Sequence, residues 1–376
     1  MGKKVAEEEG WDHEKLAKVK LKVLRGHIGG VQTCCFLDGQ SLVLSGGVDK
    51  TLKIWDIQDG SCRETLIGHK AEVTCTRSTK DGRRIVSSGL DKYLIVWDGT
   101  TGQPILESRH EGMVMSCDIS YDGRYMLSGT DLDNVVVIWD LRQDKSIKML
   151  KHHNNTVMCV RFAPSSYQFC SSGMDFTSVV CDMQNYRNER DPHAVIRLGG
   201  HINMISSCDF SGDERRLCTG SWDKTIKVWD LNSGSYRTSG PVSLDKVHEG
   251  CVSACRFSKD GSTIMSANYD QSLIMWDADN ACVNFTLQGH TGWVTDCDFS
   301  ADELGVISSS KDGTIRYWDI LRKDEIPVVL QNKKTIGLRL LKCHECQKQF
   351  SITQAQNADA IKLCVFCRLE YEKRVS

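Results

Sequence analysis

The chain has 376 residues, 40% of them hydrophobic, and a formal net charge of −2. This composition supplies a large apolar core and excludes a global drive toward nucleic acid or anionic membrane. No apolar run approaches the ~20 residues that span a bilayer, so the expectation is an intracellular, cytoplasmic protein without membrane contact, with the nucleus as a second location.

Residues 1–20 read as a charged tail with five Lys/Arg against five Asp/Glu and no apolar signal region. Ala6 stands where a myristoylation signal takes Ser or Thr, so no lipid anchor is expected.

From residue 21 the chain repeats. Seven histidines are each followed about 28 residues later by a strand-closing aspartate. The pairs are His27/Trp55-Asp56, His69/Trp97-Asp98, His110/Trp139-Asp140, His153/Cys181-Asp182, His201/Trp229-Asp230, His248/Trp276-Asp277 and His290/Trp318-Asp319. The closing aspartates recur every 42 to 48 residues, a period that marks a repeat architecture. Residues 201–230 show one unit well. Alternating apolar positions over 204–210, 216–219 and 225–229, separated by turn clusters, predict three short strands, and a fourth apolar stretch precedes the next histidine. Four strands per repeat make a small sheet, and seven such sheets arranged radially make a propeller.

Gly-His at 26–27, 68–69, 200–201 and 289–290, with Trp-Asp in six of the seven repeats, resembles the WD-repeat β-propellers over residues 21–330. The fold class is therefore expected to be all-β, a seven-bladed propeller of four-stranded antiparallel blades. An aspartate recurs six residues before each closing Trp or Cys181, at Asp49, Asp91, Asp133, Asp175, Asp223, Asp270 and Asp312. A hydroxyl precedes each of them, at Ser45, Ser87, Ser128, Ser171, Thr219, Ser266 and Ser308. The resemblance implies a buried network in each blade from Trp through Ser/Thr and His to Asp. Seven repeated histidines and aspartates are then bracing rather than a catalytic array, because buried polar groups are normally paired. The resemblance also implies that a terminal strand completes the last blade; residues 20–24 and 326–330 both read as candidates.

The rhythm lapses in places. The third repeat has an extra residue between Ser128 and Asp133, and the fourth has Cys181 for Trp and His152-His153 for Gly-His. The connections 183–200 and 231–247 are longer, as surface loops that carry binding sites often are. Cys34, Cys117, Cys208, Cys255 and Cys297 occupy one position of the first strand, as small buried hydrophobes would, which argues for a reducing compartment over a disulfide scaffold.

The residues before the turn aspartates are Val48, Leu90, Leu132, Met174, Trp222, Tyr269 and Lys311. By resemblance they lie near one rim, and six of the seven are apolar or aromatic, a protein-binding pattern. Trp222 and Tyr269 are the leading pair. Trp139-Asp140-Leu141-Arg142 resembles the W-D-x-R motif of cullin-type ubiquitin ligase substrate receptors, which implies Arg142 as an adaptor contact.

Residues 331–376 carry nine Lys/Arg against four Asp/Glu. They contain Cys343-His344-Glu345-Cys346 and, 17 residues on, Cys364-Val365-Phe366-Cys367. Two C-x-x-C pairs at such spacing predict a closed, structural Zn2+ site on Cys343, Cys346, Cys364 and Cys367. Strands around the first pair and helix-forming sequence after the second resemble a treble-clef finger, with a zinc ribbon as the alternative. No phosphate loop, H-E-x-x-H or G-x-S-x-G appears. The sequence thus predicts a non-enzymatic scaffold, monomeric in isolation, that binds other proteins and no small-molecule substrate. Its alternatives are a ubiquitin-ligase receptor and a nucleic-acid-associated factor using the basic tail.

Overall fold

Short β-segments rich in Val, Ile and aromatic residues pair locally, and their register is set by which face each must bury. The computed structural model describes residues 20–37, 41–183, 195–234, 237–238, 240–245, 247–320, 338–342 and 349–353. The first sheet pairs Val31–Phe36, Leu42–Gly47, Thr51–Asp56 and Cys62–Ile67 antiparallel in sequence order. Five further four-stranded sheets repeat this over residues 73–109, 114–150, 157–199, 205–244 and 252–288. The seventh takes three strands from 294–319, and its fourth is Lys20–Arg25. These seven blades are numbered in that order below.

Lys20–Arg25 pairs with Thr314–Asp319 from Lys20↔Asp319 to Arg25↔Thr314. The N-terminal candidate therefore closes the ring; residues 326–330 lie outside the described residues. First strands of successive blades touch all the way round, the first blade against the seventh. Closure covers the edge of Thr314–Asp319, which would otherwise be open to strand addition.

The core lies between sheets. Leu44, Leu52, Ile54 and Leu66 of blade 1 pack on Val73, Ile85, Ile95 and Trp97 of blade 2. Leu24, Ile307 and Ile315 join Val31, Val43 and Trp55 across the closing interface. Each such side chain contributes about 1.5–3 kcal/mol when fully buried. Cys34, Cys117, Cys208, Cys255 and Cys297 are fully buried, as a packing position requires.

Hydroxyls add stitches between blades. The second residue of the first strand donates to a carbonyl of the next blade in four cases: Thr74 to Val114, Ser206 to Val252 and Ser253 to Val294 at 2.6 Å, and Thr295 to Val31 at 2.7 Å. Separately, Leu338–Lys342 pairs antiparallel with Gln349–Thr353 within the unit 328–376. No helix among the described residues is long and apolar enough to cross a membrane.

Candidate functional site

Each blade's histidine precedes the first strand, and its aspartate caps the turn between the second and third strands. Antiparallel pairing brings both to the same end of the blade. In blade 1, Trp55 Nε1 donates to Ser45 Oγ at 2.8 Å, Ser45 Oγ lies 2.7 Å from His27 Nε2, and His27 Nδ1 lies 2.9 Å from Asp49. Asp49 also accepts the Ile28 and Thr51 amides, so one carboxylate ties loop, turn and sheet together. The same four-membered chain is complete in blades 2, 5 and 7. In blade 7, burial opposes ionisation of Asp312, but Thr314, His290 and the Thr291 amide hold its carboxyl at about 2. In these four blades the indole, hydroxyl, imidazole and carboxylate are all engaged in bracing hydrogen bonds.

Three blades depart from the network. Blade 4 keeps His153–Ser171 and His153–Asp175 but puts buried Cys181 where the indole would stand. In blade 6, Asn268 inserts between His248 and Asp270, its Nδ2 lying 2.5 Å from the ring and 2.8 Å from the carboxylate. In blade 3, His110 lies 3.3 Å from Ser128, and among the described residues no hydrogen bond joins it to Asp133. The extra residue shifts the turn, so the expected role of Asp133 in a His–Asp pair is corrected: that aspartate is exposed at the turn. Burial pushes both His110 and His248 down to about 4; Asp270 opposes the shift at His248.

The turns carrying the seven rim residues are held by one repeated bond. The amides of Val48, Leu90, Met174, Trp222, Tyr269 and Lys311 each donate to a carbonyl just before the first strand. In blade 3 that bond is made by Asp131, donating to Met113, so Asp131 holds the position expected of Leu132. Leu132 projects one residue further on and is 65% exposed.

All seven turns therefore sit at the end where first strands begin, called the upper face here. A central cavity of ≈ 430 Å³ lies within the ring of first strands, and Leu90, Trp222, Tyr269 and Lys311 line it. Val48, Leu132 and Met174 do not belong to that lining.

The structure adds Trp293, which sequence reasoning missed. Its ring stacks on Tyr269 at 4.8 Å and 20°, and Trp222 meets Tyr269 edge-on at 5.6 Å. Trp293 is 52% exposed. A large aromatic standing half in water just before a strand was the available signal, hidden because it falls outside the repeated turn. Together the three rings make a continuous aromatic strip across blades 5 to 7. Burial pushes the Tyr269 hydroxyl up from its ordinary value.

Deeper in the ring, the fifth residues of the first strands of blades 2 to 7 alternate in sign: Arg77, Asp118, Arg161, Asp209, Arg256, Asp298. Seven positions cannot alternate perfectly, and uncharged Cys35 of blade 1 fills the odd place. The aspartates clamp neighbouring blades by accepting the amides of Phe162, Phe257 and Phe36 at 2.7, 2.9 and 3.0 Å. Burial raises Asp209 and Asp298. Asp296, two residues above Asp298, accepts Arg256 at 3.0 Å and pairs with Arg77 at 3.4 Å. Burial works against its ionisation, and the two guanidiniums overcome this, holding it below the usual carboxylate range.

Arg142 is exposed at the other end of blade 3; its amide donates to Asp140 Oδ1, and Asp140 pairs with Arg124 at 3.2 Å. Among the described residues no group of three or more His, Cys, Asp or Glu is arranged to hold a metal. Cys343, Cys346, Cys364 and Cys367 lie outside the described residues, although the paired strands Leu338–Lys342 and Gln349–Thr353 flank the first C-x-x-C.

The family profile "WD domain, G-beta repeat" matches residues 18–56, 60–98, 102–140, 144–182, 193–230, 241–277 and 282–319. The chain belongs to the WD-repeat family. Within curated WD-repeat and related proteins, it is 46% identical over 54 residues to F-box/WD repeat-containing protein 7 of Drosophila melanogaster, covering 14% of this chain and 4% of that one. It is 46% identical over 41 residues to the small ribosomal subunit protein RACK1 of Schizosaccharomyces pombe (11% and 13%). It is also 37% identical over 62 residues to the target of rapamycin complex subunit LST8 of Saccharomyces cerevisiae (15% and 20%). The matches thus span at most a fifth of these three relatives, about one repeat or a little more.

Proposed function

We propose that this WD-repeat protein is a non-enzymatic scaffold that holds partner proteins on the upper face of its propeller. The single observation that carries this is the aromatic strip Trp222–Tyr269–Trp293 at the mouth of the central cavity. Aromatic side chains give large contact area at low entropic cost, and they dominate binding energy where they cluster. Apart from Asp133, the histidines and aspartates that resemble a catalytic array are engaged in the bracing network, which supports a binding role over chemistry. Two of the relatives named above are themselves designated subunits of larger assemblies.

Affinity purification from cell extract with quantitative mass spectrometry tests this reading. Trp222→Ala/Tyr269→Ala/Trp293→Ala is expected to lose partners recovered by the wild type by tenfold or more, since two or three hot-spot rings are worth at least ~2 kcal/mol. The triple variant should remain folded, because none of the three rings belongs to the apolar clusters between blades. Undiminished recovery of the same partners would remove the strip from the binding surface.

The tail 331–376 fits a second contact built on structural zinc. The paired strands on either side of residues 343–348 support a knuckle that presents Cys343 and Cys346, with Cys364 and Cys367 completing a four-sulfur set. Bound Zn2+ would supply folding energy rather than catalysis. Metal analysis of the reduced full-length chain is expected to find about one zinc per chain, and Cys364→Ser/Cys367→Ser to lose it. A wild-type content near zero would refute the site. The ubiquitin-ligase reading rests on the Trp139-Asp140-Leu141-Arg142 motif, and the exposure of Arg142 leaves that side chain available for an adaptor.

A further inference from the structure

The cavity beneath the aromatic strip has an asymmetric lining. Its wall is apolar at Met115 and Met158, and its floor is polar where Arg77, Arg256 and Asp296 meet. At that floor the acceptors are already used. Asp296 Oδ2 takes Thr33 Oγ1 at 3.0 Å and Arg77 Nη1 at 3.4 Å, while Oδ1 takes Arg256 Nη2 and the Cys297 amide, both at 3.0 Å.

Donors, by contrast, are in surplus. Among the described residues the hydrogen bonds of Arg77 run from Nη1, to Asp296 and to the Thr76 carbonyl, with none from Nη2. Nε of both Arg77 and Arg256 has no partner among the described residues. The two arginines are 8% and 5% exposed, so bulk water does not satisfy them in full. Asp118, Asp209 and Asp298 of the alternating ring offset the arginine charge, so spare donors rather than net charge mark this floor. Buried donors without acceptors are costly, and a guanidinium is built to meet a carboxylate.

From this we infer that the central cavity receives the carboxylate of an acidic side chain from a partner polypeptide, which enters past the aromatic strip and docks on Arg77 and Arg256. A peptide fits better than a bare ion because ≈ 430 Å³ far exceeds one small anion, and because the methionine and aromatic walls suit an aliphatic stem. The inference rests on the upper face being the partner surface, yet a small probe tests the floor without any partner. Its failure would leave the face reading intact, while loss of the face reading would appear only in partner recovery.

Thermal unfolding of the full-length chain provides the test, with N-acetylglutamate N-methylamide, its glutamine counterpart and inorganic phosphate as probes. The glutamate derivative is expected to raise the midpoint by about 2–3 °C at ten times its Kd, the glutamine derivative not at all. Arg77→Met should abolish the response. Should that variant fail to fold, Met158→Glu against Met158→Gln decides, because the glutamate places a carboxylate in the cavity from within. Met158→Glu is expected to melt above Met158→Gln and to ignore the added probe. Equal responses to the two amides, or Met158→Glu melting no higher than Met158→Gln, would overturn the proposal. A response to phosphate as large as that to the glutamate derivative would overturn its assignment to a peptide carboxylate.

Discussion

Replacing Asp296 by Ala lowers stability by about 3–5 kcal/mol, the cost of leaving a buried charge without its partner. Asp296 alone meets both Arg77 and Arg256, which rise from blades 2 and 6, while Asp296 itself belongs to blade 7. Its removal strands two buried guanidiniums and also frees Thr33 of blade 1. Four blades lose a common anchor, so the effect should exceed that of any single rim substitution. Chemical denaturation measures it as a fall in midpoint at unchanged slope. A loss below about 1 kcal/mol would mean that the Asp296 pairs are screened like surface ion pairs rather than buried.

The second large effect is acid lability led by two histidines; burial also lowers His27, His152 and His290, which act in the same direction. His110 and His248 titrate at about 4 in the folded protein, against an ordinary value near 6.5. Their folded pKa is depressed, so the unfolded chain binds the proton first. Stability is therefore complete above pH 6.5 and falls as pH drops from 6.5 to 4. Over that window each residue removes about 3 kcal/mol, at ~1.4 kcal/mol per pH unit. Asp312, held at about 2, loses its share only below pH 4. His248→Gln cannot titrate and should reduce the slope of stability against pH by ~1.4 kcal/mol per unit between pH 6.5 and 4. An unchanged slope would contradict the buried, neutral state of His248.

These two effects arise at different levels of legibility. The period of His and Asp was readable because each blade must satisfy the same buried polar groups at the same spacing. The first-strand cysteines were readable because one packing position recurs. The lapses were harder. Asn268 substitutes for a direct His248–Asp270 contact, and nothing local to 248 or 270 announces a third residue between them. The extra residue of the third repeat was visible, but its consequence was not: Asp131 rather than Leu132 takes the aligned turn position, because the pairing register of the first two strands fixes the count.

The charge belt was hidden for another reason. Arg77, Asp118, Arg161, Asp209, Arg256 and Asp298 are about 41 to 48 residues apart and look like scattered polar interruptions of apolar strands. Only radial closure makes them neighbours, and only then does their alternation have an energetic meaning. Trp293 was overlooked likewise: it belongs to the segment before a first strand, whereas the rim residues were sought in turns. The four cysteines expected to hold zinc, and the expected boundary between residues 330 and 331, fall outside the described residues.

Where a partner sits on the ring is the direct test of the scaffold reading. Hydrogen exchange of the full-length chain, alone and bound to the most abundant protein it co-purifies with, measures this by segment. Added protection is expected at residues 202–204, 222–224, 269–271 and 291–293, around the aromatic strip. Protection confined to the opposite end of the blades, at residues 121–125 and 164–168, with the strip unchanged, would contradict it.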